Sequence, residues 1–256
     1  MFLWDKIVFG PIQSRRLGNS LGINVSPTTK KICSFDCIYC ECGWTLEKNI
    51  DPKDFYSVEE ITEAIEKKLQ ECSANNTPVD SITFSGNGEP TLHLNFCQII
   101  DNLIVLRDKY YPGTAITCLS NAAQLANKYV LSVLQKIENP VLKLDAVDES
   151  LFQLINKPTI DISVNEIIKQ LQSLNGNFIM QSLFLKGMFN NQTFNNAEEP
   201  HLSLWIEVVK KLNPKQVMLY SIDRSTPAQG LEKITAEELQ KFAIMLQQFG
   251  IQAKVY

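Results

Sequence analysis

No apolar run in this sequence approaches the roughly 18 residues that would span a bilayer. The opening residues, Met1-Phe2-Leu3-Trp4-Asp5-Lys6, lack the apolar core of a secretory signal. Both absences point to a cytoplasmic protein with no membrane partner. Internal repeats, low-complexity tracts and charged tails are also missing, which excludes solenoids and disordered linkers. Positive charge is not in excess: 24 basic against 28 acidic side chains give a net charge of −4. That argues against coating nucleic acid by phosphate neutralisation alone, while leaving room for a local basic patch. Histidine is scarce. His93 and His201 are the only two, and a lone histidine such as His93 reads as structural rather than catalytic. No cysteine precedes Cys33 and none follows Cys118.

The seven cysteines, at 33, 37, 40, 42, 72, 97 and 118, are odd in number and four of them crowd one segment. In a chain without an export signal this excludes a disulfide framework and suggests a reduced, cofactor-binding protein. With 45% hydrophobic residues in 256, a sizeable single core can form. Strand-like runs alternate with helix-like runs. The strands are expected at Leu21–Val25, Ser81–Ser85, Ala115–Leu119, Val141–Asp145, Phe178–Leu185 and Gln216–Ile222, with a short last one in residues 251–256. Helices are expected from the Ser57-Val58-Glu59-Glu60 capping box to Cys72, and over Phe96–Tyr110, Lys128–Ile137, Val164–Leu174 and Glu199–Leu212. The last opens at the Thr235-Ala236-Glu237-Glu238 box and ends near Gly250. About six β/α units follow, as an open doubly wound sheet or a partial barrel, with ligands at the C-terminal ends of the strands.

Cys33-Ser34-Phe35-Asp36-Cys37-Ile38-Tyr39-Cys40 falls in the loop after the first of these strands. Three thiolates spaced C-x3-C-x2-C can hold three corners of an iron–sulfur cube and leave one iron open. The alternative is zinc, with Cys42 as fourth ligand, although Cys40 and Cys42 are close for a tetrahedral knuckle. Cys72, Cys97 and Cys118 fall in or beside regular elements and read as ordinary buried thiols. Ser85-Gly86-Asn87-Gly88-Glu89-Pro90-Thr91 lies at the end of the next strand, so the two motifs are neighbours in a parallel sheet. Polar residues recur at later strand ends: Ser120-Asn121, then Lys143 and Asp145, Gln181 and Lys186, and Tyr220, Asp223 and Arg224. Each alone is equally well a surface cap or ion pair; as a set they outline an active-site mouth. Before the first strand, Arg15 and Arg16 can clasp a carboxylate or phosphate, or form a solvated pair on a hairpin.

The C-x3-C-x-aromatic-C pattern resembles the signature of the radical S-adenosylmethionine superfamily. "SGNGEPT" resembles its GGE motif, with Asn87 in place of a glycine. With "FGPxxSRRLGxSLGIN" and "YSIDR" the likeness extends over nearly the whole chain, to the wyosine-synthase-like Fe–S oxidoreductase branch. The resemblance implies a partial (β/α)6 TIM-like barrel. It would be one domain over 1–256, with an N-terminal extension (1–20), the barrel (21–250) and a terminal strand (251–256). It implies one [4Fe–4S] cluster on Cys33, Cys37 and Cys40, and S-adenosylmethionine contacted by Tyr39, Gly86, Asn87, Gly88, Glu89, Ser120, Asn121 and Gln181. Lys143, Asp145 and Arg224 are the catalytic candidates. The expected chemistry is reductive cleavage of the cofactor to a 5′-deoxyadenosyl radical, fed by a flavodoxin- or ferredoxin-type donor. The radical would abstract hydrogen from a substrate such as a tRNA base or nucleotide. The alternatives are a maturase or activase acting on a peptide or partner protein, and a non-catalytic zinc-binding regulator. True wyosine synthases carry a second cluster on upstream cysteines, which this sequence does not contain.

Overall fold

Short apolar strands alternating with amphipathic helices bury both faces of a parallel sheet, and the chain builds around that pattern. The computed structural model describes residues 2–46 and 50–256. A hairpin of β1 (Val8–Ser14) and β2 (Gly18–Ile23) leads through the cysteine loop to α1 (Val58–Ala74). Then follow β3 (Ser81–Phe84), α2 (Phe96–Tyr110), β4 (Ala115–Ser120), α3 (Lys128–Leu134), β5 (Asn139–Lys143), α4 (Glu149–Ile155), α5 (Val164–Gln172) and β6 (Ile179–Leu183). The chain continues through β7 (Leu185–Phe189), β8 (Gln192–Asn195), α6 (His201–Leu212), β9 (Gln216–Tyr220), β10 (Leu231–Lys233), α7 (Ala236–Gln247) and β11 (Ala253–Val255). The main sheet is a curled half-barrel in the order β1-β2-β3-β4-β5-β6-β9-β11. Its strands are parallel from β2 onward, and only β1 is antiparallel.

The expected capping boxes form. Ser57 Oγ accepts from Glu60 N at 3.1 Å while Glu60 Oε2 accepts from Ser57 N at 2.8 Å, and Thr235 and Glu238 repeat the arrangement. From its box, α1 turns Val58, Ile61, Ile65, Leu69 and Cys72 into the core, the spacing of a single helical stripe. The α2 limits agree with the sequence reading. Three differences matter. β2 starts at Gly18, inside the expected extension, because it pairs with β1 from Ser14↔Gly18 onward. A short helix, α4, was not expected; Asp148 Oδ1 caps it by accepting from Leu151 N at 3.0 Å. The expected strand 178–185 breaks after Leu183, and β7 leaves to join β8 and β10 in a separate three-stranded sheet. The break is held by buried Asn196, whose side chain accepts from Leu185 N at 2.7 Å and donates to Leu183 O at 2.8 Å and Asp145 O at 2.9 Å. Asn190 and Asn191, at φ 51° and 59°, turn β7 into β8, a mirror-image turn that asparagine tolerates.

His93 proves structural, as expected. Its Nδ1 accepts from Asn95 N at 3.1 Å, so Nε2 carries the proton and donates to Tyr56 O at 2.8 Å. Burial holds its pKa below the usual 6.5. The folded state therefore favours neutral imidazole. Stability from this contact is full above pH 6.5 and is lost as pH falls through the lower folded value. Urea titrations across that range should show the decline, and His93→Gln, which has no such titration, should flatten it.

Candidate active site

The parallel strands end along one edge, and their register sets the site. Ile23 lies level with Phe84, and Phe84 with Cys118. Lys143 lies level with Gln181, and Leu183 with Tyr220. The loop after β2 folds back over this edge. Ile32 N donates to Asn87 O at 2.9 Å and Glu89 N donates to Ile32 O at 2.9 Å, which splices the cysteine loop onto the glycine motif as a short parallel bridge. Gly88 is required there: at φ +134°, an added Cβ would sit 1.7 Å from Ile32 O. Gly86, at φ +145°, passes similarly close to Asn24 Oδ1, which accepts from Asn87 N at 3.0 Å. The other side of the loop is held by the segment after α4. Ile38 N donates to Ile155 O at 3.0 Å, Asp36 N to Lys157 O at 2.9 Å, and Thr159 N to Ser34 O at 2.8 Å.

Cys33, Cys37 and Cys40 all open on one cavity of about 320 Å³. Tyr39, Gly86, Gly88, Glu89, Ser120, Asn121, Lys143, Gln181 and Arg224 line it too. Two predicted residues do not. Asn87 turns its side chain away, accepting from Trp4 N at 2.8 Å and donating to Trp4 O and Pro27 O at 2.9 Å. Asp145 lies beneath the cavity floor with no side-chain exposure. A larger hollow of about 410 Å³, between Pro52–Glu60 and His93–Gln98, shares none of these residues.

The thiols are surrounded by donors. Phe35 N donates to Cys33 Sγ at 3.4 Å, Asn121 Nδ2 to Cys33 Sγ at 3.8 Å, and Asn156 Nδ2 to Cys37 Sγ at 3.7 Å. Lys31 is buried beside them, donating to Gly43 O at 3.0 Å with Asp36 at 3.6 Å. Burial opposes its charge, but Cys40, Cys33, Cys37 and Asp36 outweigh that and hold it protonated. Burial pushes the Cys33 thiol up, and Cys37 to about 11. The neighbouring Cys42 lowers the Cys40 thiol against the effect of burial. Cys40 beside it, with burial, pushes Cys42 up. Three thiols with amide donors and a buried cation suit an anionic thiolate-held cluster, whose sulfurs accept such bonds. Cys42, the fourth ligand of the zinc alternative, donates its thiol to Gly86 O at 3.3 Å.

Glu89 is buried with both oxygens committed: Oε1 accepts from Thr91 Oγ1 at 2.6 Å and Oε2 from Asn121 N at 2.7 Å. Burial raises its pKa against those bonds. Asn121 Nδ2 donates to Ser34 Oγ at 2.9 Å, and Ser120 Oγ accepts from Ala122 N at 3.1 Å. Asp145 accepts from the Tyr39 hydroxyl, from Asn156 Nδ2 at 2.7 Å and from Leu183 N at 2.8 Å. Lys143 Nζ lies 3.3 Å from Asp145 Oδ1, 2.6 Å from the Tyr220 hydroxyl and 4.9 Å from the Tyr39 ring centre. Desolvation works against this ammonium, yet Asp145 beside it keeps it charged. Arg224 reaches outward instead, pairing at 2.7 Å with Glu41 with its side chain 66% exposed. Sequence reading missed Asn156 and Ser34, which lie far from their partners along the chain. It also missed Lys31, whose position two residues before Cys33 was a readable signal.

Residues 28–191 match the family model of the radical SAM superfamily, and the chain belongs to that superfamily. Membership implies an iron–sulfur cluster and S-adenosylmethionine. Within it, the chain is 32% identical over 217 residues to a UPF0026 protein of Methanocaldococcus jannaschii, covering 83% of this chain and 62% of that protein. A UPF0026 protein of Helicobacter pylori is 31% identical over 246 residues, covering 94% of this chain and 74% of that protein. The chain thus spans less than two thirds of the Methanocaldococcus relative. Solved structures share the fold. A radical SAM methyltransferase from Sphaerobacter thermophilus superposes with TM-score 0.68 at 14% identity, covering 93% of this chain and 65% of that one. A TYW1 structure with a lysine–pyruvate adduct bound gives 0.64 at 16%, covering 91% and 75%. Streptococcus suis SuiB bound to precursor peptide SuiA gives 0.63 at 16%, covering 92% and 48%.

Gly88→Ala tests the splice between the two motifs. The positive φ alone should cost about 1–3 kcal/mol, and the Cβ would also have to displace Ile32. The variant should melt lower than the parent and bind less iron after anaerobic reconstitution, with its far-UV circular dichroism retained.

Proposed function

We propose that the chain is a radical S-adenosylmethionine enzyme in which Cys33, Cys37 and Cys40 hold a single [4Fe–4S] cluster. The observation that carries this reading is the convergence of these three thiols with the glycine motif on one cavity, ringed by N–H donors and buried Lys31. The remaining cysteines support a single cluster. Cys72 and Cys118 are buried in α1 and β4, and Cys97 lies on α2. Bound together, the cluster and S-adenosylmethionine supply one-electron cleavage of the sulfonium to methionine and a 5′-deoxyadenosyl radical that takes hydrogen from substrate.

The protein's part is to bind, orient and exclude water. Gly86 and Gly88 offer a backbone surface that a ligand can approach closely, and Glu89 is held rigid beside it as an acceptor for an ammonium group. Ser120, Asn121 and Gln181 present polar groups along the adjacent strand ends. Tyr39 is fixed by its bonds to Asp145 and Asn156, so its ring forms a stable wall between Cys37 and Cys40. Asp145 acts as a positioning residue: it orients Tyr39 and Lys143 without reaching the cavity. Asn87 likewise positions the N-terminal segment.

The substrate side favours an anionic nucleotide over a peptide. Arg15, Arg16, Lys143 and Arg224 line the cavity, and basic groups there suit phosphate better than a neutral peptide backbone. A flavodoxin- or ferredoxin-type donor would supply the electron. Anaerobic reconstitution with iron and sulfide, followed by S-adenosylmethionine and dithionite, should yield 5′-deoxyadenosine in the parent and none in Cys37→Ala. A parent protein that takes up zinc stoichiometrically and gives no iron-dependent cleavage would overturn the proposal.

A further inference from the structure

Several basic side chains line the cavity. Arg16, Lys143 and Tyr220 meet there. The Arg16 guanidinium carbon lies 4.8 Å from the Tyr220 ring centre. Lys143 Nζ lies 5.1 Å from that centre and 2.6 Å from the hydroxyl. The other cations on the cavity wall are compensated. Arg15 pairs with Asp223 at 3.0 Å, Arg224 with Glu41 at 2.7 Å, and Lys31 sits among the three thiols with Asp36. Lys143 has Asp145, but that carboxylate is shared with Tyr39, Asn156 and Leu183 N. Arg16 has less still: its Nη1 is closed off from solvent and meets no acceptor among the described residues.

A buried guanidinium nitrogen without an acceptor is unfavourable, and the planar guanidinium fork matches the oxygens of a carboxylate or phosphate. Tyr220 completes the set. Its oxygen accepts from Lys143, which leaves its own hydrogen free to donate. An oxyanion placed beside the ring would thus meet a guanidinium, an ammonium and a phenol. The same three groups lie on separate elements: Arg16 in the turn between β1 and β2, Lys143 at the end of β5 and Tyr220 at the end of β9. Only the folded chain brings them together, so their convergence is a property of the site and not of a local motif.

We propose that Arg16, Lys143 and Tyr220 form an oxyanion subsite that holds a carboxylate or phosphate of the substrate, so that the enzyme acts on a small anionic molecule or nucleotide. The inference rests on the reading above, in which the cofactor occupies the cysteine and glycine-motif end of the cavity. The competing source of the same chemistry is the carboxylate of S-adenosylmethionine itself, and the test separates the two. Reconstituted protein saturated with S-adenosylmethionine is titrated calorimetrically with inorganic phosphate and, separately, with malonate. S-adenosylmethionine affinity is measured in parallel for the parent, Arg16→Gln and Lys143→Met. The expected result is that one of the oxyanions binds the parent and loses about tenfold in affinity in each variant, while S-adenosylmethionine affinity in Arg16→Gln changes by less than about twofold. Which oxyanion binds identifies the substrate's group as phosphate or carboxylate. Arg16 sits on a partly exposed hairpin turn, so Arg16→Gln decides the matter even if loss of the Lys143 pair impairs folding. Absence of oxyanion binding in the parent would overturn the proposal, as would a tenfold loss of S-adenosylmethionine affinity in Arg16→Gln. Failure of the radical reading shows separately, as absence of S-adenosylmethionine binding to the parent. The oxyanion titrations are then repeated without it, and the same loss in Arg16→Gln is still expected.

Discussion

The close approach of Ile32 to Gly88 is the contact on which the site depends. Two backbone hydrogen bonds make the cysteine loop, in effect, one more short rung beside the end of β3. They exist only because residue 88 has no side chain: any Cβ would occupy the space of the Ile32 carbonyl. From this anchor the loop runs directly to Cys33. On the far side the segment after α4 clamps Ser34, Asp36 and Ile38 by backbone bonds, and Phe35 packs edge-on against Phe152 with centroids 5.5 Å apart. A loop held along both edges can present three thiols in a lasting geometry, which a floppy loop of the same sequence could not.

The second constraint is charge in a dry place. The thiols, Lys31, Lys143, Asp145 and Tyr39 lie within one set of hydrogen bonds, most of them buried. Removing ions from water is costly unless each finds a partner, and the network supplies those partners in alternation. Lys31 faces the thiols, Asn156 reaches Cys37, Tyr39 and Asp145 at once, and Asp145 answers Lys143. Burial and the neighbouring Asp145 drive the Tyr39 phenol well above its usual range, so it remains a donor. Desolvation opposes the Lys143 ammonium, and Asp145 and Tyr220 beside it offset that cost. On the cavity wall Arg16 and Lys143 flank Tyr220, and Arg16 Nη1 meets no acceptor among the described residues.

Local signals were readable wherever a short stretch of chain decides its own structure. Ser57 and Glu60, or Thr235 and Glu238, specify a helix start within four residues, and Pro112-Gly113 ends α2 by removing a donor and freeing φ. The half-barrel followed from the alternation of such elements. The β7–β8–β10 sheet did not. Its separation from β6 depends on Asn196, which bonds three backbone groups brought together from elsewhere in the chain, and an apolar run carries no mark of where such a residue will cut it. For the same reason the expected strand over 141–145 ends at Lys143, leaving Asp145 beneath the cavity instead of on its wall.

The sequence by itself determined the two motifs, a cysteine triad in one loop and a glycine-rich strand end. Cys33, Cys37 and Cys40 lie within eight residues and Ser85–Glu89 within five, so spacing alone restricts what each can do. Only the tertiary structure decided what surrounds them. Asn87, read as a cofactor contact, holds Trp4; Arg224 points to Glu41; Asn156 and Lys143 join the thiols; and Arg16 reaches Tyr220. These pairings span tens to well over a hundred residues of chain. They are chosen by strand order, by register and by the need to match each buried charge, none of which is encoded in any one segment.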